Sequence, residues 1–350
     1  MASPASPDRD GTGRADSPMT QPIPVLVVIV NYKSGKLTLN ALESLRAERE
    51  DDGLDLHVVV VENASGDEAL LREGIEARFS DFVSLAVSPR NGGFGAGNNH
   101  GLAHAHELGL RPRYVHFLNP DTEIRPGAVG TLVRFLEAHP KAGIAGSSFE
   151  LGDGRPWRIG FRFPSSISEF EDSIRLGPIS RILRDHVVPR ELGHEPEPID
   201  WPSGASMMCR REVLENVGGF DESFFLYFEE IDLCLRARKA GWTCWYVPDS
   251  RVMHICGQSS GVTTRDDAPK RLPDYWFESR RRYFVKHHGH VYAAIADAAR
   301  LVGSSVAIAK DVVRGIPVTP FYVRDLFRHS VLRPQNHVPA EPERVYFLPR

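Results

Sequence analysis

An α/β fold built on a mostly parallel sheet flanked by helices is predicted by three features of the chain. Residues 23–32 (IPVLVVIVNY) and 56–63 (LHVVVVEN) are nearly continuous β-branched runs, the pattern of strands buried on both faces of a parallel sheet. Between them Thr38, Ala41, Leu42 and Leu45 fall on one helical face, completing a strand–helix–strand unit. The alternation then continues, with a strand at 83–88, a helix running to 108, a strand at 114–118, and Val129, Leu132, Val133 and Leu136 at i, i+3, i+4 and i+7.

The chemistry-bearing residues sit at the ends of these elements. Ligands of parallel sheets collect at the carboxyl ends of the strands, so Asn31, Tyr32, Glu62 and Asn63 are expected to face one crevice, the alternative being plain loop residues. Residues 32–38 (YKSGKLT) contain neither Gly-x-Gly-x-x-Gly nor a Walker sequence, which argues against a nicotinamide enzyme or a P-loop NTPase. After the third strand, Arg90 and Asn91 lead into Gly92, Gly93, Gly95 and Gly97, then Asn98 and Asn99. Glycines there permit unusual backbone angles and close approach of a ligand, Arg90 offers a forked donor for an anion, and the free N–H groups of the next helix offer more. A flexible loop is the plainer reading. The strand at 114–118 runs into Asn119-Pro120-Asp121, where Pro120 stops the ladder. Asp121 is then either a turn residue or a carboxylate placed for a hard cation such as Mg²⁺ or Mn²⁺.

A further strand is expected at 143–149. From 150 to 200 the pattern weakens, and this stretch is read as an insertion that covers the crevice or meets an acceptor, or as a surface excursion, with one or two short helices between 167 and 183. A strand at 206–210 and a short helix about Val213 precede the run Phe224 to Asp232 (FFLYFEEID). It sets Glu229, Glu230 and Asp232 on one helical turn directly after aromatic residues. A carboxylate in apolar surroundings becomes a better proton acceptor, the usual preparation of a general base. The structural alternative is an acidic first turn favoured by the helix dipole, with Asp232 paired to Arg236. Strands at 244–247 and 251–254 follow, ending at His254, a neutral-imidazole metal ligand or a structural histidine beside a Gly/Ser loop. Residues 291–316 read as an Ala/Val-rich helix with Asp297, Arg300, Lys310 and Arg314 spaced along it. It either packs on the main domain or lies on an anionic membrane surface.

Composition narrows the class. A chain of 350 residues can bury a large core, and a net charge of −4 gives no basic footprint for nucleic acid. Four cysteines, at 209, 234, 244 and 256, show no metal-like spacing and suit a reduced, cytoplasmic setting. The first 21 residues are expected to form a disordered tail, and no apolar run reaches the roughly 18 residues of a membrane span.

Seven motifs in order carry a resemblance: Val30-Asn31-Tyr32, Val61-Glu62-Asn63-Ala64-Ser65, Asn91-Gly92-Gly93-Phe94 with Gly97-Asn98-Asn99, Leu118-Asn119-Pro120-Asp121, Gly218-Gly219-Phe220-Asp221, Glu229-Glu230-Ile231-Asp232-Leu233-Cys234 and His254. Across about residues 23–290 the chain resembles family 2 glycosyltransferases of GT-A fold, with their Rossmann-like sheet, and is similar to bacterial rhamnosyltransferases that build cell-wall or O-antigen glycans. The resemblance implies that Asn31, Glu62 and Asn91 help hold a nucleotide; Tyr32, Arg90, Gly93, Asn98 and Asn119, at the strand ends and the glycine-rich turn, are expected in the same donor site. It also implies that Asp121 and His254 hold Mg²⁺ or Mn²⁺, and that Glu230 is the general base. The chain departs from the pattern at three positions: Asn119 stands where the metal motif begins with Asp, Glu230 where Asp is frequent, and Glu62 where Asp is frequent. Glu229 therefore competes with Glu230 for the base.

The reading that results is an inverting glycosyltransferase moving a sugar, first L-rhamnose from dTDP-L-rhamnose, to a glycan or polyprenyl-linked acceptor. Its rivals are the same fold with a UDP- or GDP-hexose, a nucleotide-sugar-binding scaffold without catalysis, and, more weakly, a nucleotidyltransferase. Residues 22–125 are expected to bind the nucleotide and 126–290 the acceptor. Residues 291–350 form a helical extension with a Pro-rich arm, and 291–316 offer a peripheral membrane contact.

Overall fold

A computed structural model describes residues 21–51, 53–152, 154–254, 271–319, 321–333, 345, 346 and 348. The expected tail, the Gly/Ser loop after His254, Cys256 and most of the Pro-rich arm lie outside the described residues.

The first half follows the predicted alternation. Strand β1 (Ile23–Asn31), helix α1 (Gly35–Arg46), β2 (Leu54–Glu62), α2 (Glu68–Arg78), β3 (Val83–Val87), α3 (Gly93–Glu107) and β4 (Tyr114–Leu118) succeed one another, and the four strands are all parallel. Val25, Val27, Val28 and Ile29 are at most 2 % exposed, as a strand covered on both faces requires. The chain continues through β5 (Thr122–Ile124), α4 (Ala128–Ala138), β6 (Ala142–Glu150), β7 (Pro156–Trp157), β8 (Ile159–Phe161), α5 (Ser166–Ile174), α6 (Gly177–Ile182), β9 (Pro189–Glu191) and β10 (Glu197–Ile199). It then forms β11 (Ser206–Arg210), α7 (Arg211–Val217), α8 (Glu229–Lys239), β12 (Thr243–His254), α9 (Asp274–Val313) and α10 (Tyr322–His329). Among the described residues the main sheet has ten strands, ordered β10-β12-β6-β11-β4-β1-β2-β3, with β5 on β12 and β7 on β6. Strand β11 runs antiparallel to both β4 and β6, so strands of the second half join directly onto the first. Apolar side chains from both faces form two cores, one against α1, α2 and α4, the other against α3, α7, α8 and α9.

Two local departures matter for the site. The strands expected at 244–247 and 251–254 are one strand, β12, with a register shift between Val247 and Arg251. Pro248 lacks the N–H that would continue the ladder, and the chain bulges past it. The three-residue β5 was not foreseen; it pairs antiparallel with the end of β12, matching Thr122 to His254.

The stretch 150–200 and the start of the C-terminal extension are bound together by buried charge. Arg280 of α9 is 2 % exposed and pairs with Glu169 of α5 at 2.8 Å and with Asp297 further along α9. Arg300 reaches Glu169 at 3.0 Å and Asp172 at 2.9 Å. Removing one partner from such a cluster leaves a buried charge uncompensated, so the cluster fixes α5 against α9. Helix α9 breaks at Gly289, whose φ of 82° lies in the left-handed region that favours glycine. By length and composition α9 is long and apolar enough to cross a membrane, although no uninterrupted apolar run does so.

Candidate active site

The carboxyl ends of β1, β2 and β4 open into a cavity of about 520 Å³, closed on the far side by α8, the end of β12 and the start of α9. Of the residues expected in the site, Tyr32, Asn91, Gly93, Asn119, Asp121, Glu229, Glu230 and His254 line this cavity, together with Asn63. Asn31, Glu62, Arg90 and Asn98 are not part of its wall.

The metal candidates meet because of β5. Pairing of Thr122 with His254 carries the imidazole back beside Asp121, and His254 Nε2 stands 3.4 Å from Asp121 Oδ1. Asp121 is 2 % exposed, and its Oδ1 accepts no hydrogen bond from any described residue. An orphaned buried carboxylate oxygen is costly unless something positive completes it. Two ligands at right angles on one ion, each about 2.1 Å from it, are about 3 Å apart, so the pair fits a divalent cation. No third His, Cys, Asp or Glu joins them among the described residues. A cation held here would keep most of its coordination sphere for water and phosphate oxygens, as Mg²⁺ does. Asn119 contributes no charge; its N–H donates to the Ala205 carbonyl at 3.0 Å and its own carbonyl accepts from Thr122 Oγ1 at 2.6 Å, which ties β4 to the loop before β11.

Across the cavity lie the acids of α8. The helix begins after Tyr227 and Phe228, two bulky residues both at φ 68°. Left-handed backbone is unfavourable for such residues and persists where the surroundings enforce it, a pattern typical of functional turns. This turn aims Glu229 and Glu230 into the cavity, and Oε2 of each accepts no hydrogen bond from a described residue. Burial pushes the Glu230 carboxyl up to about 7, against the lowering effect of the N–H groups of the helix start. Glu229 is 3 % exposed; burial, followed by the adjacent Glu230 charge, pushes its carboxyl well above the ordinary range. Glu230, the more open of the two, is brought by its own burial to titrate near neutral pH. Asp232 takes no part. It is fully buried, but a hydrogen bond from His287 and the charges of Arg236 and Lys286 overcome the burial cost and hold its carboxyl far below the usual range. The expected Asp232–Arg236 pair is present at 2.8 Å, and Lys286 bridges Asp232 at 2.7 Å to Asp221 at 2.8 Å.

The remaining polar residues shape the walls. Asn63 Nδ2 donates to Asn91 Oδ1 at 3.1 Å and to the Gly93 carbonyl at 3.2 Å, clamping the end of β2 to the start of α3. Glu62 turns onto its own loop, accepting from the Ser65 N–H at 2.6 Å and from Ser65 Oγ at 2.5 Å. Asn31 accepts from Ser34 and Thr38 and donates to Ser65 and Asp67, so it and Glu62 organise the 62–67 turn beneath the cavity rim. Arg90 is exposed.

The glycine-rich stretch serves protein packing rather than direct ligand approach. A Cβ on Gly93 would stand 1.7 Å from the Phe225 carbonyl, and Cβ atoms on Gly97 and Gly101 would stand within 2.7 Å of Val30 and Val28. The N–H groups expected to meet an anion are already engaged: Gly93 donates to Asn91 Oδ1 and Phe94 to the Phe225 carbonyl. Asn98 donates to the Phe94 carbonyl within α3. Neighbouring Asn99 donates to the Phe220 carbonyl at 2.8 Å and accepts from its N–H at 3.0 Å, holding the 218–221 loop. Sequence reasoning missed the aromatic part of the wall. Phe225, Tyr227 and Tyr275 form one group, with ring centroids 5.3 Å and 6.2 Å apart along it, and Trp157 comes from the insertion. Aromatic residues around 225 and 275 are a visible signal, and Trp157 lies in 150–200, the stretch read as covering the crevice, meeting an acceptor or forming a surface excursion.

Residues 22–269 match the model of the glycosyltransferase like family 2. The chain is 29% identical over 287 residues to the N-acetylglucosaminyl-diphospho-decaprenol L-rhamnosyltransferase of Mycobacterium tuberculosis, covering 80% of this chain and 85% of the relative. It is 29% identical over 236 residues to the rhamnosyltransferase WbbL of Escherichia coli, covering 66% and 83%. Among solved structures it is similar to a mannosyltransferase from Pyrobaculum calidifontis in complex with GDP-Man and Mn²⁺, with a TM-score of 0.51, 18% identity, and 89% and 80% of the two chains covered. The chain belongs to the glycosyltransferase like family 2 and is a glycosyltransferase of GT-A fold.

Proposed function

We propose that the enzyme is an inverting rhamnosyltransferase, taking L-rhamnose from dTDP-L-rhamnose to a hydroxyl group of a polyprenyl-linked glycan in cell-wall or polysaccharide biosynthesis, at the cytoplasmic face of a membrane that it contacts through residues 291–316. One observation carries this: the Asp121–His254 pair and the carboxylate of Glu230 open into the same cavity. Transfer from a nucleotide sugar needs charge stabilisation at the departing diphosphate and a base at the incoming hydroxyl, and these two groups supply the two needs from different elements. The names of the relatives support rhamnose and a decaprenol-linked acceptor.

In this reading Glu230 accepts the acceptor's hydroxyl proton as the oxygen attacks the anomeric carbon. A single displacement requires one ionised carboxylate on the acceptor side, unlike glycosidases, which need two flanking the bond. Glu229 beside it is the more deeply buried of the two, which leaves Glu230 the better exposed base. Asp121 and His254 would hold Mg²⁺ or Mn²⁺, which when bound supplies positive charge to the diphosphate. Asn63 and Asn91 set the distance between β2 and α3 in the nucleotide pocket, Asn31 and Glu62 stiffen the 62–67 turn at its edge, and Tyr32, Gly93 and Asn119 complete the donor side.

A second reading keeps the chemistry and changes the donor to a UDP- or GDP-hexose, favoured by the likeness to a mannosyltransferase bound to GDP-Man. Thermal denaturation with dTDP-L-rhamnose, UDP-glucose or GDP-mannose, each with and without Mn²⁺, separates the two. A ligand at about 100 times its Kd stabilises by about 2.7 kcal/mol. Stabilisation by dTDP-L-rhamnose is expected; stabilisation by GDP-mannose alone would overturn the donor assignment.

A further inference from the structure

The second half of α9 is inside out. Past Gly289 it runs as about 36 Å of helix at 1.5 Å per residue, with its charged side chains turned toward the protein. Asp297 pairs with Arg280, Arg300 with Glu169 and Asp172, and Asp311 with Arg175, while Lys310 donates to the Arg175 carbonyl. The outward side is uncharged: Val291, Ile295, Val302, Val306 and Val313 are 79%, 54%, 57%, 44% and 87% exposed. The surface continues past the helix end into Ile316 and Phe321 and, on α10, Phe327. A helix bordering water normally places its charges outward.

We propose that this face inserts into the interfacial region of an anionic bilayer, with α9 lying along the surface and α10 beside it. Charge complementarity selects this partner. Between residues 290 and 333 the only acids are Asp297, Asp311 and Asp325. Each is at most 5 % exposed and ion-paired. Among the described residues of 290–333 the exposed charged residues are Arg314, Arg324 and Arg328, while the neighbouring exposed acids Asp172, Asp274 and Glu278 are paired with Arg300 and His329. Apolar side chains with aromatic residues and arginines at one end suit the lipid boundary, where apolar burial and attraction to anionic headgroups add. A second copy of the chain fits less well. The positions flanking the outward stripe are Ala299, Leu301 and Ile308, where coiled coils carry the charges that set register and partner. Of the charges spaced along 291–316, Asp297, Arg300 and Lys310 thus turn inward and Arg314 stands at the end of an apolar outer face. The inference rests on the lipid-linked acceptor proposed above for its purpose: it would hold the cavity at the surface where such an acceptor lies.

The test is flotation of the full chain with vesicles of phosphatidylcholine alone and of phosphatidylcholine with phosphatidylglycerol. Expected is binding to the anionic vesicles that falls at least tenfold in the double variant Val302→Glu, Val306→Glu, and likewise in Val313→Glu, which alters the most exposed position should the double variant fold poorly. Transfer to a water-soluble acceptor should stay within about twofold, because none of these residues lines the cavity. Absence of vesicle binding by the parent chain would overturn the proposal, as would a dimer in solution that the same substitutions dissociate. Loss of transfer with every donor sinks the reading of the cavity and leaves vesicle binding to be judged separately.

Discussion

Replacing Glu230 by Gln is expected to make the protein more stable, and only at pH values where Glu230 is ionised. Burial lifts this carboxyl from 4.5 to about 7. A span of about 2.5 pH units corresponds to about 3 kcal/mol at 1.36 kcal/mol per unit. Water in the open cavity screens part of this, leaving about 2 kcal/mol. The sign follows from proton counting. Between 4.5 and about 7 the native state binds a proton that the unfolded state has released, so stability falls as pH rises through this window and the cost is fully present above it. Gln carries no charge at any pH. Scanning calorimetry from pH 5 to 8 should show the Tm of Glu230→Gln gaining on that of the parent by about 3 °C, the amount about 2 kcal/mol yields for a chain of this size. A Tm difference independent of pH would show that Glu230 is not a desolvated carboxylate, and its assignment as a base would lose its physical ground.

Two further outcomes test the frame around it. Gly93→Ala should lower Tm severely or prevent soluble expression, because its Cβ would meet the Phe225 carbonyl at 1.7 Å and its φ of 87° is strained for any L side chain; an unchanged Tm would disprove the close contact between α3 and the 224–228 turn. Asp121→Asn should raise the Mn²⁺ concentration needed for half-maximal transfer at least tenfold and abolish Mn²⁺-dependent stabilisation by the nucleotide product, read by thermal denaturation; an unchanged metal requirement would remove Asp121 from the donor site.

The legible part of the fold was the part whose signal is local. The runs at 23–32 and 56–63 gave β1 and β2 because strands covered on both faces have no polar alternation to dilute them. What escaped depended on partners distant in sequence. Strand β5 has three residues and exists by pairing with β12, yet it is what brings His254 to Asp121. The glycines of 92–101 looked like room for a ligand, but their small size serves Val28, Val30 and Phe225, whose proximity no local pattern reveals. The acids of α8 were visible as a cluster, and their division of labour was not. Asp232 is neutralised by Lys286 and His287 from more than fifty residues away, while Glu229 and Glu230 keep open carboxylate oxygens. The outward apolar stripe of α9 was hidden for the same reason, since the direction its charges face follows from Glu169, Asp172, Arg175 and Arg280.

Whether the cavity works as one site is tested most directly by transfer rates of Glu230→Gln and Glu229→Gln across pH, with donor affinity measured on each. The parent's kcat/KM is expected to rise with pH to a plateau above about 7. Glu230→Gln should lose on the order of 10²–10⁴-fold in kcat with donor Kd unchanged, the usual worth of a general base, and Glu229→Gln should lose far less. Full transfer by Glu230→Gln, with Glu229→Gln inactive, would contradict the assignment of roles across the cavity.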